Sequence, residues 1–117
     1  MMTTDQWATI HDLTAWLDRH NGRTEAEVSA RMLKLAEEAG EAAQAYIGMT
    51  GHNPRKGVSH TVADVCDELS DVMVAAAILL DTLIDDPATH FYAKLARIAA
   101  RAAAQGSARV TVTTERN

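Results

Sequence analysis

The chain has 117 residues, of which 47% are hydrophobic and only 4% aromatic, and its formal net charge is −5. This length fits one domain, and the acidic balance argues against a protein that binds nucleic acid polymers through a basic face. The longest apolar run, 72–80, is far shorter than the about 20 residues that a membrane helix needs. A lone cysteine and the absence of a signal-peptide pattern in the first ten residues lead us to expect a cytoplasmic protein with no membrane partner.

The first predicted element is a helix from Thr4 to His20, with Thr4 as its cap and Asn21-Gly22 as its stop signal. Its apolar residues recur at helical spacing, which predicts that Trp7 belongs to the core.

The second predicted helix follows Thr24, where "TEAE" has the capping-box pattern, and ends near Gly48. Its apolar residues follow a rhythm of three and four, and we expect them to form its core stripe: Val28, Met32, Leu35, Ala36, Ala39, Ala43 and Tyr46.

The segment "MTGHNPRKGVSH" is a loop by composition. A third helix is predicted from Ser59 or Thr61 to Asp85, with a core stripe of Val62, Val65, Leu69, Val72, Ala76, Leu79 and Leu83. Asp86 then caps a fourth helix that begins with Pro87, runs to Ala104 and stops at Gly106.

The abundance of alanine favours close-packed helices over sheets, because alanine has the best helix propensity and is depleted in strands. We therefore predict one all-α, four-helix bundle-like domain over residues 1–106, followed by a flexible tail at 107–117. A domain of this size buries only a modest share of its surface. We expect Ala- and Leu-rich faces to join it into a homodimer or homotetramer.

Two carboxylate pairs have the same three-residue spacing, Glu38 with Glu41 on the second helix and Glu68 with Asp71 on the third. Residues three or four apart project to the same side of a helix. Glu37 lies one turn from Glu41 as well. If the two helices pack antiparallel, the pairs face each other, and four or five carboxylates come together.

Such a cluster is unstable alone, because like charges raise one another's pKa and desolvated ions are costly. A divalent cation removes the conflict, and oxygen ligands favour Mg²⁺, Mn²⁺ or Ca²⁺ over zinc. None of the five histidines completes an E-x-x-H pair with these glutamates, which argues against a ferritin-like di-iron site.

The pattern Glu37-Glu38-x-x-Glu41, then 26 residues, then Glu68-x-x-Asp71 resembles the EExxE…ExxD signature of the MazG-like, all-α nucleoside triphosphate pyrophosphohydrolases. The surrounding "LAEEAGEAAQA" and "DVCDELSDVMVAAA" are also similar to that family.

The resemblance implies Mg²⁺-dependent cleavage of a (deoxy)nucleoside triphosphate between its α and β phosphates, giving a monophosphate and pyrophosphate. It assigns Glu38, Glu41, Glu68 and Asp71 as metal ligands for Mg²⁺, with Mn²⁺ as a substitute. It makes Glu37 the candidate that orients or deprotonates the attacking water, although Glu37 can instead be a partner of Lys34. Clearance of non-standard or excess nucleotides would follow.

Other polar residues are candidates for substrate contacts. Arg55 and Lys56, in the loop, and Lys34, one turn before Glu38, are candidates to bind phosphate, with solvated or ion-paired surface residues as the alternative. Trp16 is a candidate to stack on a base, and packing at a subunit interface is its alternative.

One position departs from the family pattern. Members often carry a polar or aromatic residue one turn after the second motif, and here that residue is Ala75. Two other functions therefore stay open: a helical bundle that senses a nucleotide or metal without turnover, and an interaction module whose carboxylates form a solvated acidic patch.

Overall fold

The structure, a computed structural model, describes residues 2–106. Over this range the chain forms four helices and no strand: α1 (Thr4–Asn21), α2 (Glu25–Thr50), α3 (Val62–Leu83) and α4 (Pro87–Ala104). The all-α prediction is confirmed for this part of the chain, and the predicted flexible tail at 107–117 lies outside the described residues. None of the helices described has the length and the hydropathy required to cross a bilayer.

The helix starts are determined by local capping. The side chains of Thr24 and Asp86 accept hydrogen bonds from the backbone three residues on, as predicted. The return bond of the capping box expected at Thr24 is not formed, and the Glu27 side chain accepts from Arg31 instead. For α1 the predicted cap, Thr4, is wrong by one residue, because Thr3 accepts from the Gln6 backbone at 3.1 Å while the Gln6 side chain accepts from the Thr3 N–H at 2.7 Å. The residue three after Thr4 is Trp7, whose side chain cannot accept a hydrogen bond in return.

The end of α2 also differs from the prediction, because the helix continues through Gly48 to Thr50. It stops at Gly51, which adopts the left-handed conformation at φ 66° and ψ 25° that favours glycine. The predicted limits of the third helix were slightly wide as well, since Thr61 is its cap and Leu83 its last residue.

The helices α2 and α3 are antiparallel, and they form the main interface of the molecule. The end of α2 meets the segment before α3 where Ser59 donates to the Gly48 carbonyl at 2.9 Å. The start of α2 meets the end of α3 where Arg31 donates to the Thr82 hydroxyl at 3.0 Å. The helix α1 packs on α3, and α4 contacts α3 over a shorter length.

A small apolar core lies where α1, α3 and α4 meet. Trp7, Ile10 and Ala77 are buried there, which confirms the prediction for Trp7. The predicted stripe of α3 is only partly buried, because Val65 and Leu79 lie inside while Val62, Leu69 and Leu83 are at least half exposed.

The core stripe predicted for α2 was wrong in its orientation. Met32 and Tyr46 are more than half exposed, and the predicted alanines Ala36, Ala39 and Ala43 face outward too, while Val28 and Leu35 are half-buried. The residues of α2 that are buried are instead Arg31, Glu38, Ala42 and Ala45. The buried face of α2 is therefore formed by small alanines and by two charged side chains, Arg31 and Glu38.

Candidate functional site

Three glutamates from two helices meet at the centre of the α2–α3 interface. One carboxylate oxygen from each of Glu38, Glu41 and Glu68 lies within 4.8 Å of the other two. The helix α2 supplies two of them because residues three apart share a face, and the antiparallel α3 supplies the third. Glu38 is buried, Glu68 is half-buried and Glu41 is exposed.

Two of the oxygens in this group lack a hydrogen-bond partner. Glu38 Oε2 and Glu68 Oε2 are both buried and accept no hydrogen bond within residues 2–106. Buried polar atoms are nearly always paired, and an unpaired buried carboxylate oxygen is costly. The donor set is all oxygen, and two of its oxygens are unpaired, which is the kind of ligand set that a hard divalent cation takes.

The negative charges of these glutamates also repel one another. The pKa of Glu41 is raised, first by the negative charge of Glu38, then by desolvation, and then by the charge of Glu68. Among residues 2–106 one ammonium pairs with the cluster, because Lys34 Nζ lies 3.1 Å from Glu38 Oε1 and 3.7 Å from Glu37 Oε1. This pairing raises the pKa of Lys34, chiefly through its hydrogen bond to Glu38.

The other two predicted carboxylates lie outside the group of three. Glu37 is exposed and pairs with Lys34. Asp71 is exposed on α3 and lines the same cavity as Glu38 and Lys34. The structure therefore brings together three of the five carboxylates that the sequence singled out, and places Asp71 along the adjoining cavity.

This cavity opens beside the carboxylates, between α1, α2 and α3, and has a volume of about 390 Å³. Volumes of this size are typical of small-molecule sites. Its apolar lining residues are Leu17, Ala30, Val74, Ala75 and Ile78, and the polar ones are Asn21, Glu27, Arg31, Lys34, Glu38 and Asp71. Ala75 is thus a wall residue of the cavity, and its side chain is small.

A buried arginine at the far end of the cavity was missed by the sequence analysis. Arg31 is 7% exposed. Its guanidinium donates to Glu27 at 3.1 Å, to Asp18 at 2.9 Å, to the Gly22 carbonyl at 3.3 Å and to Thr82 at 3.0 Å. Arg31 lies seven residues, or two helical turns, before Glu38, so helical periodicity alone would have placed it on the carboxylate face.

The remaining predicted contact residues lie away from this cavity. Arg55 and Lys56 are exposed in the loop and form no ion pair with the described part of the chain. Asn53 holds this loop in shape, because its carbonyl accepts from Lys56 and Gly57 and its side chain accepts from Arg55. Trp16 is half exposed and contacts His20 in a tilted arrangement with ring centres 4.5 Å apart, outside the residues that line the cavity.

Taken together, the site can hold a divalent cation at one end and an organic group at the other.

Comparisons of the chain with protein-family models, with curated proteins and with solved structures found no match to any of them.

Proposed function

We propose that this protein is a Mg²⁺-dependent nucleoside triphosphate pyrophosphohydrolase that converts a (d)NTP and water to the (d)NMP and pyrophosphate. The observation that supports this most is the group of three glutamates with two unpaired buried oxygens, set beside a cavity large enough for a nucleoside. An acidic patch made only for solubility has no need to bury carboxylate oxygens without partners.

In this proposal Glu38, Glu41 and Glu68 hold the metal, and Asp71, on the adjoining cavity wall, is the fourth candidate ligand. A bound Mg²⁺ would neutralise phosphate oxygens and activate a water. The metal could be replaced by Mn²⁺, which accepts the same oxygen ligands.

The residues of the chain supply the other parts of the reaction. Glu37, exposed beside the cluster, orients the attacking water and accepts its proton as the oxygen adds to phosphorus and the bridging oxygen leaves with pyrophosphate. Lys34, already beside the carboxylates, neutralises the phosphates. Arg55 and Lys56, which form no ion pair with residues 2–106, are further candidates to bind them. Trp16 remains a candidate for base stacking.

We also propose that the protein acts in the cytoplasm as a homodimer or homotetramer. The outward-facing stripe of α2 supports this assembly, since residues that a soluble monomer would bury are exposed there. Clearance of unwanted nucleotides is the role that this activity would serve.

A product assay tests the reaction. Wild type, Glu38→Gln and the control Asp67→Asn are incubated with Mg²⁺ and a panel of canonical and modified NTPs and dNTPs. We expect monophosphate and pyrophosphate from the wild type and from Asp67→Asn, whose side chain is exposed next to Glu68, and a loss of at least about a hundredfold for Glu38→Gln. Diphosphate and orthophosphate would contradict cleavage between the α and β phosphates.

Thermal unfolding tests the metal site separately. Without metal, Glu41→Gln should raise the melting temperature, because it removes a charge that Glu38 and Glu68 repel. Mg²⁺ should raise the melting temperature of the wild type and have little effect on Glu41→Gln. An equal effect of Mg²⁺ on both proteins would favour a solvated acidic patch, and nucleotide binding without product would favour a sensing bundle.

A further inference from the structure

We infer that Lys34 is the resident cation of the metal-free site, that it leaves Glu38 when a divalent cation binds, and that its ammonium then binds the substrate phosphates. Lys34 thus has two successive partners, a carboxylate without the metal and a phosphate with it. This inference rests on the proposed function and deepens it, because it states how metal binding and phosphate binding are coupled at the same site.

Lys34 lies where its ammonium reaches the most buried carboxylate of the group. It precedes Glu38 by four residues, so the two side chains project from the same face of α2. Lys34 Nζ lies 3.1 Å from Glu38 Oε1, and the side chain of Glu38 is only 11% exposed. No other ion pair among residues 2–106 involves Glu38, Glu41 or Glu68. In the metal-free protein one ammonium therefore balances part of the charge of three carboxylates.

The balance that Lys34 provides is incomplete. Glu38 Oε2 and Glu68 Oε2 stay buried and accept no hydrogen bond within residues 2–106. A divalent cation has twice the charge of an ammonium, and Mg²⁺ contacts oxygen ligands at about 2.1 Å, closer than the 3.1 Å between Lys34 and Glu38. Such a cation can serve several carboxylates at once, so we expect it to displace Lys34 from the group.

Lys34 and a divalent cation cannot share Glu38 without repulsion. A cation at one oxygen of this carboxylate would lie close to an ammonium at the other oxygen, and like charges repel most strongly where water is scarce. Lys34 is able to move, because its side chain is flexible and 57% exposed. Its contact with Glu37, at 3.7 Å, is too long for a hydrogen bond and does not fix it at the cluster.

The displaced ammonium stays beside the place proposed for the phosphates. Lys34 lines the same cavity as Glu38 and Asp71. An ammonium that has lost its carboxylate partner is a good phosphate ligand, because a charge-assisted hydrogen bond is stronger than a neutral one. Metal binding therefore prepares Lys34 for phosphate. Phosphate binding must strengthen metal binding by the same factor, since the coupling between two ligands is reciprocal.

Binding measurements test this inference without turnover. Calorimetry gives the Kd of Mg²⁺ alone and then the Kd of inorganic pyrophosphate at saturating Mg²⁺. Three proteins are compared: wild type, Lys34→Met, which removes the charge from a long flexible side chain, and the control Lys94→Met, which removes the charge of an exposed lysine on α4. Circular dichroism confirms that each variant is folded.

We expect Lys34→Met to bind Mg²⁺ alone about threefold more tightly than the wild type, because no ion pair has to be broken. It should bind pyrophosphate about tenfold more weakly, since a hydrogen bond from a charged group is lost. Lys94→Met should change neither Kd. Equal or weaker binding of Mg²⁺ by Lys34→Met would overturn the inference, as would unchanged binding of pyrophosphate.

NMR separates displacement of Lys34 from an effect of its charge at a distance. The chain has three lysines, Lys34, Lys56 and Lys94, so selective labelling of lysine gives three side-chain signals, and Lys34→Met assigns one of them. The nuclear Overhauser effect between the ε-methylene of Lys34 and the γ-methylene of Glu38 should be present without metal and absent at saturating Mg²⁺. If it persists, Lys34 stays at Glu38 and the inference is wrong.

The failures of the two proposals are distinguishable. If the wild type yields monophosphate and pyrophosphate while Lys34 keeps its contact with Glu38 in Mg²⁺, the reaction stands and the displacement is wrong. If Mg²⁺ displaces Lys34 and pyrophosphate binds but no nucleotide is cleaved, the displacement stands and the reaction is wrong. If the wild type binds no Mg²⁺, both proposals are overturned.

Discussion

Gly48 lies where the loop returns to α2, and the absence of its side chain makes room for that return. A Cβ at this position would lie 2.2 Å from His60 Nδ1 and 2.5 Å from Ser59 Oγ. The same contact lets Ser59 donate to the Gly48 carbonyl at 2.9 Å, which fixes the approach to α3. The glycine that looked like a helix stop is therefore a site of close packing.

We predict that Gly48→Ala destabilises the protein by about 1 kcal/mol, the low end of the cost of overpacking, because the exposed side chains of Ser59 and His60 must shift to admit the Cβ, although alanine is the better helix former. The same change in a His60→Ala background should cost less, because the nearest clashing atom is gone. Chemical denaturation of the two single variants and the double variant measures the coupling. An equal cost in both backgrounds would contradict the steric explanation.

Asp86 caps α4 by accepting from the Thr89 N–H at 3.2 Å, and its hydrogen bonds to Thr89 lower its pKa below the ordinary 3.8. A lowered folded pKa gives stability that is present above 3.8 and is lost as the pH falls through the folded value. We predict that wild type melts above Asp86→Asn at neutral pH and that the difference disappears in acid.

Melting curves from pH 7 down to about pH 2 measure this difference. Asp85→Asn is the matched control, because Asp85 is the exposed neighbour that does not cap the helix. If the difference between wild type and Asp86→Asn grows in acid, the assignment of the cap is wrong.

At the scale of elements, Arg31 joins three helices. It belongs to α2 and donates to Asp18 near the end of α1 and to Thr82 near the end of α3. Of the three side chains that accept a hydrogen bond from Arg31, Glu27 alone belongs to α2 as well. The placement of α1 against the α2–α3 pair, and with it the shape of the cavity, depends on this side chain.

We predict that Arg31→Ala destabilises the fold by about 3 kcal/mol, because removing one partner of a buried ion pair leaves the others unpaired. Arg23→Ala is the matched control, since Arg23 also pairs with Asp18, at 3.4 Å, but its side chain is 48% exposed. It should cost less than about 1 kcal/mol. Urea denaturation of both variants makes the comparison, and similar losses would show that Arg31 does not organise the helices.

The molecule is less compact than a typical domain of its length. Its Cα radius of gyration is 17.3 Å, against about 13 Å for a compact chain of this size. Many large apolar side chains are exposed as well, among them Leu33 at 69% and Met73 at 62%. An arrangement of this kind favours burial against further copies of the chain, as the proposed homo-oligomer requires.

We predict that sedimentation gives a mass of two or four times 12.6 kDa for the wild type. Ala43→Arg, in the outward stripe of α2, should shift the protein toward monomer, because it places a charge in an apolar interface. Ala8→Arg, at an exposed position of α1, serves as the control and should keep the wild-type mass. A wild type that sediments as a monomer would contradict the assembly.

Much of the fold could be read from local signals. Caps such as Thr24 and Asp86 act over three residues, and this explains why the four helices and the starts of α2 and α4 were predicted correctly. The errors at Thr4 and Gly48 arose because each prediction considered one residue alone. The side chain of Gln6 completes the cap at Thr3, and the side chain of His60 lies where a Cβ of residue 48 would be.

The candidate site could be predicted in part for a similar reason. Glu38 and Glu41 share a face by helical periodicity, and an antiparallel neighbour brings Glu68 to them. Periodicity did not reveal which side of α2 would face α3, because both sides contain alanines, and the buried side is chosen by long-range partners. Helical periodicity also failed to predict that Asp71 lies outside the group of three.

The sequence by itself thus determined four capped helices and a shared carboxylate face, because both depend on contacts within a few residues of one chain segment. Only the tertiary structure decided the rotation of α2, the cavity beside Ala75, and the network of Arg31. Each of these depends on side chains from three helices that are far apart in the chain, and their meeting is set by the balance of burial and charge pairing over the whole fold.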